Sequence, residues 1–499
     1  MVECPYLNNT KIILKIKYMK YLFIIVLALV SNIALFAQNS FNKTYYDSYH
    51  KNTNYISEIN DNQYIIVGNR IDSNLLSDQF FMLIDSVGNI IKDTLIVDTT
   101  ADMTFTEVLR RNDDEILIFG LKMQKNTFND SLQVFYYDNN LNYIKHYSYL
   151  FSNNCGIRDL KSYLDSKSNI IFSGSSKVDN LLWHSFILKI DSNNNLIARN
   201  DTFYNDRSQL PSVLDMEEDS CYLVFGEGVT PGYKYQMYKF DYDLNLMSHD
   251  SIKNGLTNYY NPIYYRKNEI IHIGQKRKHM SSTFDFGVCI LDSNLNSKYF
   301  VQYGVDDTTE FPAAHESISK FENNVFIGAT YNDSPYIAQN KTKYMLIKMD
   351  TNYNVIWEKY YLGDDYDGMT NVIATSDGGC LMGGLHVDMN PESDNTLAAI
   401  RLLKIDSNGI ITWTRDIKTQ YANLSIYPNP TTDYINIISN GSIAMLDLCI
   451  VDINAKQVLY KKINSQQARI DVSELSSGVY FVEGKNRAGM RFKGKFIKK

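Results

Sequence analysis

Ile65-Ile66-Val67-Gly68, a short run of bulky residues closed by glycine, decides the fold because it returns along the chain. It comes back as Leu117-Ile118-Phe119-Gly120, Ile171-Phe172-Ser173-Gly174, Leu223-Val224-Phe225-Gly226, Ile271-His272-Ile273-Gly274, Val325-Phe326-Ile327-Gly328 and Cys380-Leu381-Met382-Gly383. The glycines are 52, 54, 52, 48, 54 and 55 residues apart. A second run, ending in aspartate, follows each one, at Asp85, Asp138, Asp191, Asp241, Asp292, Asp350 and Asp406. Its steps are 53, 53, 50, 51, 58 and 56 residues. Chance does not hold two markers to one beat, and a fixed period of this length is the mark of a repeat architecture.

Each unit reads as four strands. Ahead of the glycine strand stand a short strand and a tight turn, as in Val108-Leu109-Arg110 and Asn112-Asp113-Asp114; after the aspartate come a turn and a last strand, as in Ile356-Trp357-Glu358-Lys359-Tyr360-Tyr361. The middle strands are almost continuously apolar, as strands covered on both faces are. Tyr (38) and Phe (24) favour strands, and the frequent Asn favours the turns between them. Four antiparallel strands at a period near 50 residues predict an all-β, seven-bladed β-propeller over residues 38–420, followed by a small C-terminal β-sandwich over 421–499. Residues 41–47 look like one further last strand, so either they or residues 411–417 close the ring.

The turn after each aspartate is nearly a formula, for example Asp191-Ser192-Asn193-Asn194-Asn195 and Asp350-Thr351-Asn352-Tyr353-Asn354. It resembles half of a calcium loop, but a helix-loop-helix site also needs Gly at position 6 and Glu at position 12. Those places hold Leu196 and Thr202 in one copy, Val355 and Tyr361 in another. The formula therefore reads as turn chemistry, and no metal is assigned. A meander sends the second-to-third-strand loops and the inter-unit loops to one end. That end carries the longer loops (331–343, 386–397) and the acidic ones (306–310, 363–368), and it is the face to suspect of function.

The N-terminus has the three parts of a secretory signal. Met19-Lys20-Tyr21 precedes the apolar run Leu22-Phe23-Ile24-Ile25-Val26-Leu27-Ala28-Leu29-Val30, and Ala37-Gln38 supplies a cleavage point behind a small residue. The run is broken at Ser31-Asn32 and falls short of the roughly 20 apolar residues that span a bilayer. Residues 1–37 are thus read as a signal peptide, with Met19 as the true start and no stable membrane span after its removal. The formal charge is −7, with residues 1–37 at +3 and residues 421–499 at +5, leaving −15 on residues 38–420. An acidic body does not recruit phosphate backbones, so nucleic acid is excluded as a partner. Of the six cysteines, Cys4 precedes the mature start, and Cys155, Cys221, Cys289, Cys380 and Cys449 are scattered without zinc-ligand spacing. Cys221, Cys289 and Cys380 sit in apolar runs and read as small hydrophobes.

After Tyr421 the repeat stops. Tyr427-Pro428-Asn429-Pro430 opens a series of alternating apolar runs, Leu475-Ser476-Ser477-Gly478-Val479-Tyr480 follows, and Lys493-Gly494-Lys495-Phe496-Ile497-Lys498-Lys499 ends the chain. In this order the motifs resemble the type A sorting domain of the type IX secretion system of Bacteroidetes, over about the last 75 residues. The resemblance implies passage across the outer membrane, with the secretion machinery as partner and the sorting motif carried by Tyr427, Pro428, Asn429, Pro430, Gly478, Tyr480, Lys493 and Lys495. It assigns no catalytic residue. The body is similar only in a general way to the D-x-x-G-x-x-x-W repeat domains of such cargo, Asp406–Trp413 being the clearest copy.

Three functions are open to such a body. The favoured one is a non-catalytic protein binding an extracellular glycan, peptide or protein through the long-loop end. The alternative is a propeller hydrolase or lyase acting on extracellular polysaccharide. A sialidase-like site would need clustered arginine, and Arg70, Arg207 and Arg277 are sparse. A quinone-dependent dehydrogenase is suggested only by the Trp-bearing turns. His184, His272, His315 and His386 lie without metal or triad spacing and read as structural, so no cofactor and no catalytic residue are assigned.

Overall fold

The computed structural model describes residues 40–499 except 48, 61, 72–76, 99–100, 113, 125–128, 151–154, 179–182, 202–211, 229–233, 253–255, 267–268, 278–282, 293–295, 305–307, 334–339, 390–397, 412–420, 440–445, 454–455, 464–466 and 487–490. The chain divides into two compact units, Met1–Trp413 and Thr414–Lys499. The division falls inside the stretch 412–420, and the signal region with Ala37 and Gln38 also lies outside the described residues.

The described part of the first unit is almost entirely strand, with one short 3-10 turn at Glu217–Asp219. Its strands form seven separate antiparallel sheets among the described residues. The first comprises His50–Asn60, Gln63–Ile71, Ser77–Ile84 and Ile90–Ile96, and the second Ala101–Arg110, Ile116–Gln124, Ser131–Tyr137 and Tyr143–Leu150. The third, fourth and fifth repeat this order between Cys155 and Tyr303. The sixth has five strands, because its first is split into Glu310–Pro312 and Ile318–Phe321. Proline has no N–H for the ladder, and past Pro312 the main chain of His315 and Glu316 donates instead to Thr370 O of the seventh sheet (2.8 and 3.0 Å).

The seventh sheet draws its strands from both ends of the described part of the unit. Tyr366–Ala374, Cys380–Val387 and Ala399–Ile405 come from the end of the unit, and its fourth strand is Phe41–Tyr45 from the beginning. The register runs from Phe41 opposite Lys404 to Tyr45 opposite Ile400. Residue 411 is not in a strand, and 412–417 lie outside the described residues.

Successive side chains on a strand point to opposite faces, and each sheet uses both faces. Val67 and Phe81 of the first sheet pack with Phe105 and Ile118 of the second, and Phe119 and Val134 with Phe172 and Leu188 of the third. The same apolar contact joins third to fourth, fourth to fifth, fifth to sixth and sixth to seventh. A seventh core joins Leu381 and Leu402 of the last sheet to Ile66 and Phe80 of the first, with Phe41 inside it. The succession of sheets therefore returns to its start. Close approach explains the marker glycine at two of these junctions: a Cβ on Gly328 would stand 2.1 Å from Val372 Cγ2, and one on Gly383 2.1 Å from Ile56 Cδ1.

The aspartate turns act as both turn locks and docking points. In six of them the carboxylate Oδ1 accepts the main-chain N–H groups two and four residues on, at 2.7–3.0 Å. Such donors stabilise the charged form, and the carboxyls of Asp138, Asp191, Asp241 and Asp350 are held below the ordinary range by the N–H groups of the Asn four residues on. The carbonyl three residues after the aspartate is used by the preceding sheet's fourth strand. Lys92 Nζ donates to Leu141 O (2.6 Å), Tyr149 OH to Asn194 O (2.9 Å), Asn200 Nδ2 to Leu244 O (3.0 Å) and Tyr361 OH to Gly409 O (3.0 Å). Tyr45 OH makes the same bond to Gly88 O (2.7 Å). Phe41–Tyr45 thus does toward the first sheet what other fourth strands do toward their successors.

In the second unit the strand order is Gln457–Ile463, Leu446–Val451, Gly478–Asn486, Arg491–Lys498, Tyr421–Tyr427, Tyr434–Ser439 and Gln467–Asp471. Tyr421–Tyr427 serves both halves: Tyr421 to Asn423 pair in parallel with Arg491 to Lys493, and Leu424 to Tyr427 pair antiparallel with Tyr434–Ser439. Leu424, Ile437, Leu448, Ile450, Ile470, Tyr480, Val482 and Phe496 share one core.

Candidate functional site

Thirteen residues ahead of each marker glycine, the chain places Tyr55, Glu107, Lys161, His315 and Thr370 in five of the seven units. Four of them lie on the first strand of a sheet, and His315 lies in the gap of the sixth sheet's split strand. In the first, second, third and seventh sheets the pairing slips by a residue or two here, between Thr53 and Tyr55, Phe105 and Glu107, Arg158 and Lys161, and Met369 and Asn371. Bulges of this kind re-aim side chains.

The re-aimed groups meet. Lys161 Nζ lies 3.5 Å from Glu107 Oε1 and 3.6 Å from Glu316 Oε1, and donates to His315 O at 3.4 Å. Glu107 Oε2 accepts both the N–H and the hydroxyl of Ser162. Asn54 Nδ2 donates to Phe105 O (2.8 Å), and the hydroxyls of Thr53 and Thr370 are 2.7 Å apart. Groups from the first, second, third, sixth and seventh sheets are in this one network. Burial pushes the Glu107 carboxyl up to about 7 against the pull of Lys161 and Ser162. Burial disfavours the Lys161 cation, but Glu316 and Glu107 outweigh it and its pKa is raised. His315 is pushed down to about 4 by burial and by Lys161, so its ring is neutral at pH 7. Tyr55 is held well above the usual phenol range by burial and by the two glutamates. Both oxygens of Glu107 are occupied by partners inside the protein.

A second polar group lies at the long-loop end. The Asp367 carboxylate, 1% exposed, meets His386 Nδ1 at 2.8 Å, and Nε2 of that ring meets the hydroxyl of exposed Tyr46 at 3.2 Å. Arg401 donates to Thr44 Oγ1 (2.6 Å), its Nε 4.0 Å from Asp367. Thr44 lies in Phe41–Tyr45 and Tyr46 follows it, so the group also fastens that strand to the seventh sheet. His386, read from sequence as isolated, has a carboxylate partner. His272 is buried, with its pKa lowered to about 3, and Arg70 is paired with Asp78 at 2.7 Å. His184 opens the third strand of the third sheet. Arg207, the Arg277 side chain and most of the long loops lie outside the described residues. Among the described residues, no three His, Cys, Asp or Glu side chains are grouped to hold a metal ion, and no helix is long and apolar enough to cross a membrane.

Residues of the Tyr427–Pro430, Gly478–Tyr480 and Lys493–Lys495 segments converge although about 70 positions separate the first from the last. The Asn429 side chain brackets the final strand, donating to Lys495 O (3.2 Å) and accepting from Ile497 N (2.9 Å). Gly478 pairs with Lys498 and Tyr480 with Phe496, on which its ring stacks at 5.4 Å. Tyr480 OH caps Ser476 O at 2.8 Å. Lys493 pairs with Asn423 on one side and Glu483 on the other. Tyr427-Pro428 and Asn429-Pro430 are both cis, and exposed Tyr427 accepts a bond from Gln467 at 3.3 Å.

Residues 425–499 match the family model of the secretion system C-terminal sorting domain, so the protein is sent through the periplasm to the cell surface or beyond. No curated protein matches the chain. Among solved structures, it is similar to a protein of unknown function from Dyadobacter fermentans DSM 18053, at 9% identity and a TM-score of 0.43, over 74% of this chain and 98% of that one. It is also similar to the acylaminoacyl peptidase of Pyrococcus horikoshii, at 12% identity and a TM-score of 0.41, over 78% of this chain and 59% of that one.

Proposed function

We propose that the body is a closed seven-bladed β-propeller that binds an extracellular glycan, peptide or protein, and that the tail is a β-sandwich read by a type IX machinery. The cyclic order of apolar cores and the pairing of Phe41–Tyr45 with Ala399–Ile405 support the ring. One observation carries the non-catalytic reading: Glu107, the carboxyl best tuned for proton transfer near neutral pH, has both oxygens engaged by Lys161 and Ser162. A general acid or base needs a free oxygen within reach of substrate. The central groups then brace the first strands, and recognition falls to the loops at the long-loop end. Signal cleavage between Ala37 and Gln38 completes the export route.

A second reading, hydrolysis or lysis of an extracellular polysaccharide, draws on Asp367 and His386, whose 2.8 Å contact orients the ring toward an exposed hydroxyl. Mature protein should be applied to a glycan array and to a panel of polysaccharides with product analysis. Binding without turnover, unchanged in His386→Asn, is expected. Turnover lost in that variant would replace the first reading with the second.

A further inference from the structure

The outward face of the second unit's larger sheet breaks the usual rule that one side of an antiparallel sheet is polar. Leu448, Ile450, Tyr480, Val482 and Phe496 point into the core. The alternate positions should therefore carry polar groups, yet Val458, Tyr460, Val479, Phe481 and Ile497 occupy them, from 36% to 52% exposed. Val479 pairs with Ile497 and Phe481 with both Val451 and Lys495, while Tyr460 stands in the next outward row, opposite Cys449, which pairs in turn with Glu483. Gathered apolar residues on one face mark a contact surface, whereas scattered ones do not.

The surroundings of this face are basic. Lys462 and Lys495 are exposed at outward positions of its strands, and Glu483 is the acidic residue among the outward positions of the central strand whose side chains are described. Residues 487–499 hold six Lys or Arg and no Asp or Glu. An aromatic centre with a cationic rim fits a partner of opposite design, since complementary charge steers encounter while apolar anchors hold the complex.

We infer that this face of the sorting domain, centred on Phe481 and Tyr460 and rimmed by Lys495 and Lys462, is where a protein of the export machinery docks through an apolar patch bordered by carboxylates. The inference rests on the sorting-domain reading and adds the surface and the chemistry of its partner. The motif residues Asn429, Gly478 and Tyr480 then act by holding Gly478–Asn486 and Arg491–Lys498 in register, so that the outward side chains form one patch.

The test uses full-length chain in its native host, with surface and periplasmic fractions separated by external protease and immunoblotting. Phe481→Ser with Tyr460→Ser should cut surface display at least tenfold and leave the melting temperature of the purified chain unchanged. Lys495→Glu, a substitution at an exposed position that cannot empty the core, should do the same, and Lys495→Arg should restore display. Ile453→Ser, at a residue 72% exposed on a turn, should display normally. Normal display of Lys495→Glu and of the double variant would overturn the inference. So would loss of display in Ile453→Ser, or Phe481-dependent binding to vesicles containing phosphatidylglycerol, which would make the surface a lipid contact. Normal display of a chain lacking residues 421–499 would instead overturn the sorting reading itself.

Discussion

Replacing Phe41 by alanine tests the proposed ring closure at the most buried point of Phe41–Tyr45. Phe41 is 3% exposed in the core between the last and first sheets, beside Ile56, Tyr64, Phe80 and Leu402, with Gly88 against its ring. Truncating a fully buried phenylalanine removes its transfer free energy and leaves a cavity, together about 3–5 kcal/mol. The strand brings five residue pairs to Ala399–Ile405 and the bonds of Lys43 and Tyr45 to the turn at Gly88 and Asn89, so its hold is weakened along its whole length. If it docks after the folding barrier, nearly all of the loss appears in unfolding, faster by roughly a hundred- to a few thousand-fold. Equilibrium and stopped-flow unfolding in urea read both quantities. Phe300→Ala, at a residue 40% exposed on a fourth strand, serves as the control and should cost less than about 1 kcal/mol. If Phe41→Ala behaved like that control, the N-terminal strand would not be closing anything.

Three further outcomes are expected. Because burial raises the Glu107 carboxyl above its unfolded value to about 7, the folded state binds the extra proton between roughly pH 4.5 and 7, and this group's contribution to stability is lost as pH rises through that window. Glu107→Gln should flatten the urea midpoint across it, and parallel profiles for the two proteins would count against the assignment. Asn429→Ala removes both side-chain bonds to the final strand and should cost about 1–2 kcal/mol, read as faster hydrogen exchange at the Ile497 amide. Mass spectrometry of protein from the native host should find an N-terminus at Gln38, and a retained residue 1 would end the signal-peptide reading.

The strands were legible because glycine and aspartate sit where geometry leaves little choice. Gly328 and Gly383 stand where any Cβ would strike the next sheet, and the aspartates close turns through their own carboxylates. The fourth strand of the seventh sheet was not legible, since residues 41–47 and 411–417 both read as last strands and only the pairing with Ala399–Ile405 identifies Phe41–Tyr45. The central network was hidden for another reason. Glu107, Lys161 and Glu316 are far apart in sequence, and each looks like an ordinary polar residue on a strand until the units are aligned thirteen positions ahead of the glycine. The split of the sixth sheet's first strand was missed as well, although Pro312 was a visible warning.

The pairing of Phe41–Tyr45 with Ala399–Ile405 also fixes an order of events. Phe41–Tyr45 is among the first segments to be synthesised, while Ala399–Ile405 comes more than 350 residues later. Bringing the ends of so long a segment together costs about 5 kcal/mol of chain entropy if nothing between them has folded. Until they meet, the last sheet presents a bare edge of unpaired N–H and C=O groups, a template for any extended chain. The equivalent strand of a neighbouring molecule fits that edge as well as the molecule's own does.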